Sequence, residues 1–151
     1  CISGPPEVHN VKERLEGFLH EIRQAGIPDQ GCLVKYGEFK YQTGFDLMEN
    51  ILVSGFELTA VFAGNDLMAW GALDAIKEAQ LSAPQDIAIA GFDNVYFSSF
   101  LTPTLTTVEQ PKFKMGQIAM KMLIETMKRG DEKRQTGRVM LSCELIPRDS
   151  A

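Results

Sequence analysis

Four side chains in this sequence are suited to holding a small polar ligand: Arg14, Phe39, Asn65 and Asp93. A guanidinium is a flat fork of donors that grips a carboxylate or a pair of hydroxyls. Arg14 falls in the first turn of a predicted helix, where the dipole disfavours a cation by about 0.3–1 kcal/mol. It flanks the apolar stripe of Val11 and Phe18, so it either snorkels over its own helix or reaches into a cleft. Asp93 follows the apolar run 87–92, where the chain leaves a strand. There a carboxylate accepts bonds from ligand hydroxyls, pairs with Arg14, or closes an Asx-turn. Asp66 reads as the N-cap of the helix that follows it, which leaves Asn65 free to face a cleft. Phe39, in a polar Gly-Glu-Phe loop, is either core or a platform for the face of a sugar or base.

Catalysis finds less support. There is no GxSxG elbow, no GxxxxGK[ST] phosphate loop and no HExxH. His9 and His20 are the only near-neutral bases, and His20 lies off the apolar stripe. Asp66 and Asp93 are conceivable as an acid/base carboxylate pair, but nothing sets one apart from the other. Cys1, Cys32 and Cys143 form no CxxC or CxxH spacing, so neither a metal site, a disulfide framework nor a cofactor is expected. An odd number of scattered thiols fits a reducing, cytoplasmic location.

The elements that carry these residues alternate. Strands are expected at 1–3, 32–36, 59–63, 87–92, a short stretch ending at Glu109, and 138–146. Helices are expected at 11–25, 43–53, 66–80 and 112–128. Asn10 and Glu13 have the spacing of a capping box, and Gly26 with Pro28 closes the first helix. Strands alternating with helices imply α/β architecture with a mostly parallel, doubly wound sheet. The apolar strands AVFA and IAIAGF fit a sheet covered on both faces. Ligands of such sheets bind beyond the carboxyl ends of the strands. Those ends are Gly4-Pro5, Gly37-Glu38-Phe39, Gly64-Asn65-Asp66 and Asp93-Asn94, four loops that together describe a small-molecule cleft.

The chain has 151 residues, 44% hydrophobic and 23% charged. That is enough for one full core, or one large and one partial core. No run of about 18 apolar residues offers a membrane span. A net charge of −5 argues against this chain gripping DNA or an anionic membrane by itself. Two helices are apolar in unexpected directions. Trp70 and Leu67 lie beside Asp74 and Lys77 on the polar side of helix 66–80, which marks either a partner surface or a cap over a neighbouring loop. Helix 112–128 is apolar nearly all round and must be covered by more than its own small sheet. The chain opens at Cys1 inside an apparent strand, so a fragment is expected.

The runs AVFAGNDLMA (60–69) with Gly71-Ala72-Leu73, IAGFDN (89–94) and TPTLTTVEQP (102–111) resemble the effector-binding region of the lac repressor/galactose repressor family of bacterial transcription regulators. Ile2-Ser3-Gly4-Pro5, Arg14-Leu15-Glu16-Gly17-Phe18 and the closing ELIPRDS (144–150) extend the similarity over essentially the whole chain. The resemblance implies a two-lobed, type I periplasmic-binding-protein-like fold with effector between the lobes. On that pattern, residues 1–4 end an N-lobe strand at the first crossover, and 5–108 form the C-terminal lobe. Residues 109–142 are an N-lobe remnant, and 143–151 return to the C-terminal lobe. It also implies that Arg14, Phe39, Asn65 and Asp93 contact a sugar-like effector, with Gln110 at the hinge. Trp70, Phe97, Phe100 and Leu101 match homodimer contacts, and a helix-turn-helix upstream would hold operator DNA. Purine-type members carry a basic residue where this chain has Val8, which weighs against a nucleobase. Members answering to a phosphocarrier protein tend to lack the equivalent of Arg14, which favours a small effector. A periplasmic sugar-transport protein and a glycosidase-type enzyme are the rival readings, and LTTVEQP favours the regulator.

Overall fold

The computed structural model describes residues 1–28, 31–129 and 137–151. Short runs, most of them apolar, give six strands among the described residues. β1 (Ile2–Ser3) and β2 (Lys35–Tyr36) pair in parallel. β3 (Ala60–Phe62), β4 (Ala88–Phe92) and β5 (Thr106–Glu109) are also parallel, and β6 (Glu144–Ile146) returns antiparallel on β5. A bridge between Ile2 and Ala63, with the Gly64 amide donating to the Ile2 carbonyl at 2.8 Å, joins the two groups. The order is therefore β2-β1-β3-β4-β5-β6, the expected mostly parallel doubly wound sheet. Its winding reverses between β1 and β3, the place where such sheets open a crevice.

Four helices connect these strands: α1 (His9–Gln24), α2 (Tyr41–Val53), α3 (Asp66–Glu78) and α4 (Lys112–Arg129). Along β4, Ile89 and Gly91 are buried while Ala88, Ala90 and Phe92 are half-buried. The buried face packs on α2 and α3, with Val61, Ile89, Met48, Met68 and Ile76 at its centre. On the other face α1 sets Phe18 against Phe62, ring centroids 5.8 Å apart. The expectation of two covered faces is met unevenly, since Ala88, Ala90 and Phe92 stay half-buried on this side.

α2 and α3 touch through their backbones. A Cβ on Gly44 would overlap the Met68 carbonyl, and one on Gly71 would overlap the Tyr41 carbonyl. Two helices approach this closely only where one side chain is absent at each crossing point.

Helix ends depart from expectation in two places. α1 begins at His9 with Val8 as an N-cap that offers no side-chain bond, so the Asn10–Glu13 capping box does not form. Asn10 sits inside the first turn, and Glu13 pairs with His9 at 3.4 Å instead. α3 is capped by Asn65, whose Oδ1 accepts from the Met68 amide at 2.9 Å, and not by Asp66. The helix simply starts one residue earlier than the reading assumed. At their other ends, α1 and α3 both close with a pair of reversed bonds. These are Gly26 N to Arg23 O with Ile27 N to Ile22 O, and Gln80 N to Lys77 O with Leu81 N to Ile76 O. Gly26 takes the left-handed position easily at φ +72°, whereas Gln80 is forced into it at φ +61°. Gln80→Gly is expected to stabilise the chain by about 1 kcal/mol in denaturant titration. An unchanged midpoint would show that the strain is relieved elsewhere.

The strand expected across 138–146 is confined to β6. Residues 137–143 carry no strand, since among the described residues no neighbouring edge presents hydrogen-bonding groups to them. Residues 130–136 of the expected N-lobe remnant lie outside the described residues. α4 packs extensively on none of the other elements, and its apolar surface is open: Phe113 is 81% exposed and Met127 73%. Surface of that kind drives association. The isolated 151-residue chain is expected to scatter light as a dimer or larger and to bind an apolar-surface dye. A dye-silent monomer would contradict this.

Candidate functional site

The carboxyl ends of β1 to β5 surround a cleft of about 280 Å³ lined by Asn10, Arg14, Phe39, Asn65, Asp93 and Gln110. All five ligand-contact residues expected from the sequence therefore meet in one place. Asn10 is the addition. Its signal was present as a polar residue one helical turn before Arg14, but the capping-box spacing claimed it for another role.

Each side chain is placed by local structure. Phe39 lays its ring directly over Gly4, at a point where any Cβ would collide with it, and its edge reaches Gly64. Arg14 leaves α1 toward the sheet, donates from Nη1 to the Gly64 carbonyl at 2.7 Å, and lies 3.8 Å over the Phe92 ring. It is committed to the cleft rather than draped over its own helix. Part of its fork remains for a ligand. Burial works against its charge, while the neighbouring Asp93 and then Cys143 favour it. Asn65 spends its amide oxygen on the α3 cap and keeps its NH₂ as a donor at the floor.

Asp93 sits at φ +109° and Asn94 at φ +43°, two successive left-handed residues of which the first is costly for a side chain. Several partners hold this turn. Gln110 Nε2 donates to Asp93 Oδ1 at 2.5 Å, and Lys112 Nζ donates to the Asp93 carbonyl. Arg148 Nη2 donates to Asn94 Oδ1 at 2.7 Å. Arg14 and Asp93 influence one another through space, but Arg14's hydrogen bond goes to Gly64, so the direct pairing considered from sequence is replaced. Burial pushes the Asp93 carboxyl above its usual range and the Asp66 charge adds to this. The Gln110 bond, Arg14 and Lys112 oppose it.

The cleft thus presents one cation, one carboxylate, amide donors and an aromatic wall. Its six lining residues include no hydroxyl or thiol nucleophile with a base beside it. Asp66, the second carboxylate of the glycosidase reading, is fully buried and its oxygens are taken by Thr107 Oγ1, Ser98 Oγ and the Val95 amide. It faces away from the cleft and cannot exchange protons with a ligand there. A larger cavity of about 410 Å³ lies at the amino ends of β1 and β3, walled by Ile2, Phe18, Ile22, Leu58 and Val61. Its lining also includes Cys1, Cys32, Glu57 and Thr59, but it is mainly apolar, whereas five of the six residues around the smaller cleft are polar or charged.

The residues matched to dimer contacts gather elsewhere. Trp70 is half-buried, edge-on to Tyr41 at 5.2 Å and 5.1 Å from Phe97, which makes it a cap over the loop that follows β4. Beside it Tyr96 and Phe100 stack at 4.9 Å, 84% and 66% exposed. Leu101 is partly buried against the main core. Together they form an aromatic ridge with an open crest.

Among the described residues no helix is long and apolar enough to cross a membrane. A family model described as a periplasmic binding protein-like domain matches residues 1–151. The ribose operon repressor of Escherichia coli (strain K12) is 38% identical over all 151 residues, and the chain spans 45% of that protein's length. Among solved structures, the transcriptional regulator CelR in complex with cellobiose aligns at a TM-score of 0.91 and 31% identity, over 99% of this chain and 45% of the other. A LacI family transcriptional regulator from Enterococcus faecium with bound ribose aligns at 0.85 and 31%, over 99% of this chain and 55% of the other.

Proposed function

Because the chain belongs to the periplasmic binding protein-like domain family, we propose that it is the effector-sensing region of a LacI-type bacterial transcription repressor that takes a neutral sugar or sugar derivative in its cleft. One observation carries the reading: Asn10, Arg14, Phe39, Asn65, Asp93 and Gln110 converge at the switch point of the sheet. A single cation balanced by a single carboxylate suits hydroxyl groups better than a phosphate or a second acid. Phe39 supplies the flat apolar wall on which the C–H face of a sugar ring rests. The named relatives regulate transcription, and two of the solved ones hold ribose or cellobiose, which supports a sugar over a base.

The proposed organisation keeps residues 5–108 and 143–151 as the C-terminal lobe. Residues 1–4 end an N-lobe strand, and 109–142, with α4, belong to the N-terminal lobe. Effector between the lobes selects one relative orientation, and a tenfold change in operator affinity needs only about 1.4 kcal/mol of such coupling. A second copy of the chain meets the aromatic ridge of Trp70, Phe97, Phe100 and Leu101. A helix-turn-helix upstream contacts operator DNA in the cytoplasm. The test is titration calorimetry of D-ribose, D-galactose and cellobiose into the full-length protein. Heat saturating at one site for at least one sugar supports the proposal, and silence from a panel of neutral sugars beside a signal from a nucleobase or an acid refutes it.

A further inference from the structure

Asp66 does more than its helix requires. An acid in a first turn is favoured by the helix dipole even at the surface, and Asn65 already caps α3. Yet Asp66 is fully buried, and the three groups that donate to it are all neutral. A carboxylate buried in that way needs every bond it is given. The fold makes room for it through Gly91, where a Cβ would overlap its Oδ1.

The donors come from particular places. Oδ2 takes both the Val95 amide at 2.9 Å and Ser98 Oγ at 2.6 Å, two groups of one short segment. Oδ1 takes Thr107 Oγ1 at 2.5 Å, and that same hydroxyl oxygen accepts the Asn94 amide at 3.3 Å. The segment 93–100 therefore begins in the cleft with Asp93 and hangs at its middle on one carboxylate. It ends in the aromatic ridge, where Phe97 meets Trp70 one turn along α3 from Asp66.

We propose that Asp66 is a positioning residue that couples occupancy of the cleft to the aromatic ridge, through the segment pinned on its Oδ2. The proposal rests on reading the cleft as an effector site. When ligand hydroxyls compete with Gln110 for the Asp93 carboxylate, the left-handed turn at Asp93 and Asn94 shifts. Val95 and Ser98 share one anchor, so they move together and carry Phe97 across Trp70.

Trp70 is the one tryptophan of these 151 residues, and its contribution to the emission of the full-length protein is isolated by subtracting the signal of Trp70→Phe. The full-length protein is titrated with D-ribose and with cellobiose, and binding is measured in parallel by calorimetry. Saturation is expected to change Trp70 emission in the native protein. In Asp66→Asn and in Ser98→Ala, that change at saturation is expected to fall by at least half. A merely structural Asp66 would lower the melting temperature and leave the saturated response intact, which overturns the proposal, as does a native protein that binds with no response. If neither sugar produces heat, amide exchange judges the pin without a ligand, and the effector reading is left to the wider calorimetric panel. Asp66→Asn must speed exchange at Asn94, Val95 and 96–100 together by about tenfold or more. Acceleration confined to Val95, or none, overturns it.

Discussion

Arg14→Ala or Asp93→Ala is expected to weaken effector binding by at least 100-fold, about 2.7 kcal/mol, while leaving operator binding of the full-length protein largely unchanged. The size follows from desolvation. Each of these groups is half-buried beside the other's charge, so removing one strands its partner in a poorly solvated cleft. The two losses should not add, because a double variant strands neither. Calorimetry on the three variants checks this, and normal induction by both single variants would move the site elsewhere. Asp93 also sets a pH dependence. Its carboxyl titrates above the ordinary range because burial disfavours the charge. Effector affinity should therefore fall, as pH drops, sooner than for an exposed carboxylate near 3.9. Stability runs the other way. A folded-state value raised above the unfolded one gives a contribution that is complete at low pH and lost as pH rises through the folded value. Asp93→Gly strands Arg14 just as Asp93→Ala does but also relieves the strain at φ +109°, so it should melt at a higher temperature than Asp93→Ala while losing effector binding equally.

Gly44→Ala and Gly71→Ala are expected to be the most damaging Gly→Ala changes among the described residues, costing about 3 kcal/mol or more each. In each case the new Cβ meets a carbonyl oxygen of the facing helix, not a side chain able to turn aside. Relief requires α2 and α3 to separate, and that opens the cluster of Met48, Met68 and Ile76 beneath them. Chemical denaturation should show a lower midpoint or no cooperative transition. An increase in stability, the ordinary result for Gly→Ala in a helix, would mean that the helices do not meet there.

The sheet was legible because the runs AVFA and IAIAGF are apolar throughout and the carboxyl ends of the strands carry small and polar residues. That is why Phe39, Asn65 and Asp93 at strand ends converge with Arg14 of α1 and with Gln110. Asn10 was hidden by local spacing that satisfies the capping rule, a competition decided by where helix α1 actually starts. Asn65 took over the cap expected of Asp66 for the same reason while still lining the cleft, since a shift of one residue at a helix start turns a cap into a buried group. Asp66's donors lie 29 to 41 residues away in the chain, a separation that no local pattern reports. Gly44 and Gly71 carried no local signal of the α2–α3 contact, because their value appears only when the second helix is present.

The antiparallel return of β6 has a mechanical meaning. Where β5 leaves the sheet and β6 enters it, the two form a two-stranded ribbon whose outermost pair is Glu109 opposite Glu144. Like charges facing each other across strands weaken that last rung, while Thr107 and Ile146 pair deeper in the sheet. Such a ribbon resists sliding along its length, because every hydrogen bond would break at once. It yields readily to twisting at its frayed end. Any body carried beyond Glu109 is therefore mounted on a torsion spring, free to rotate about the ribbon axis and poorly able to translate.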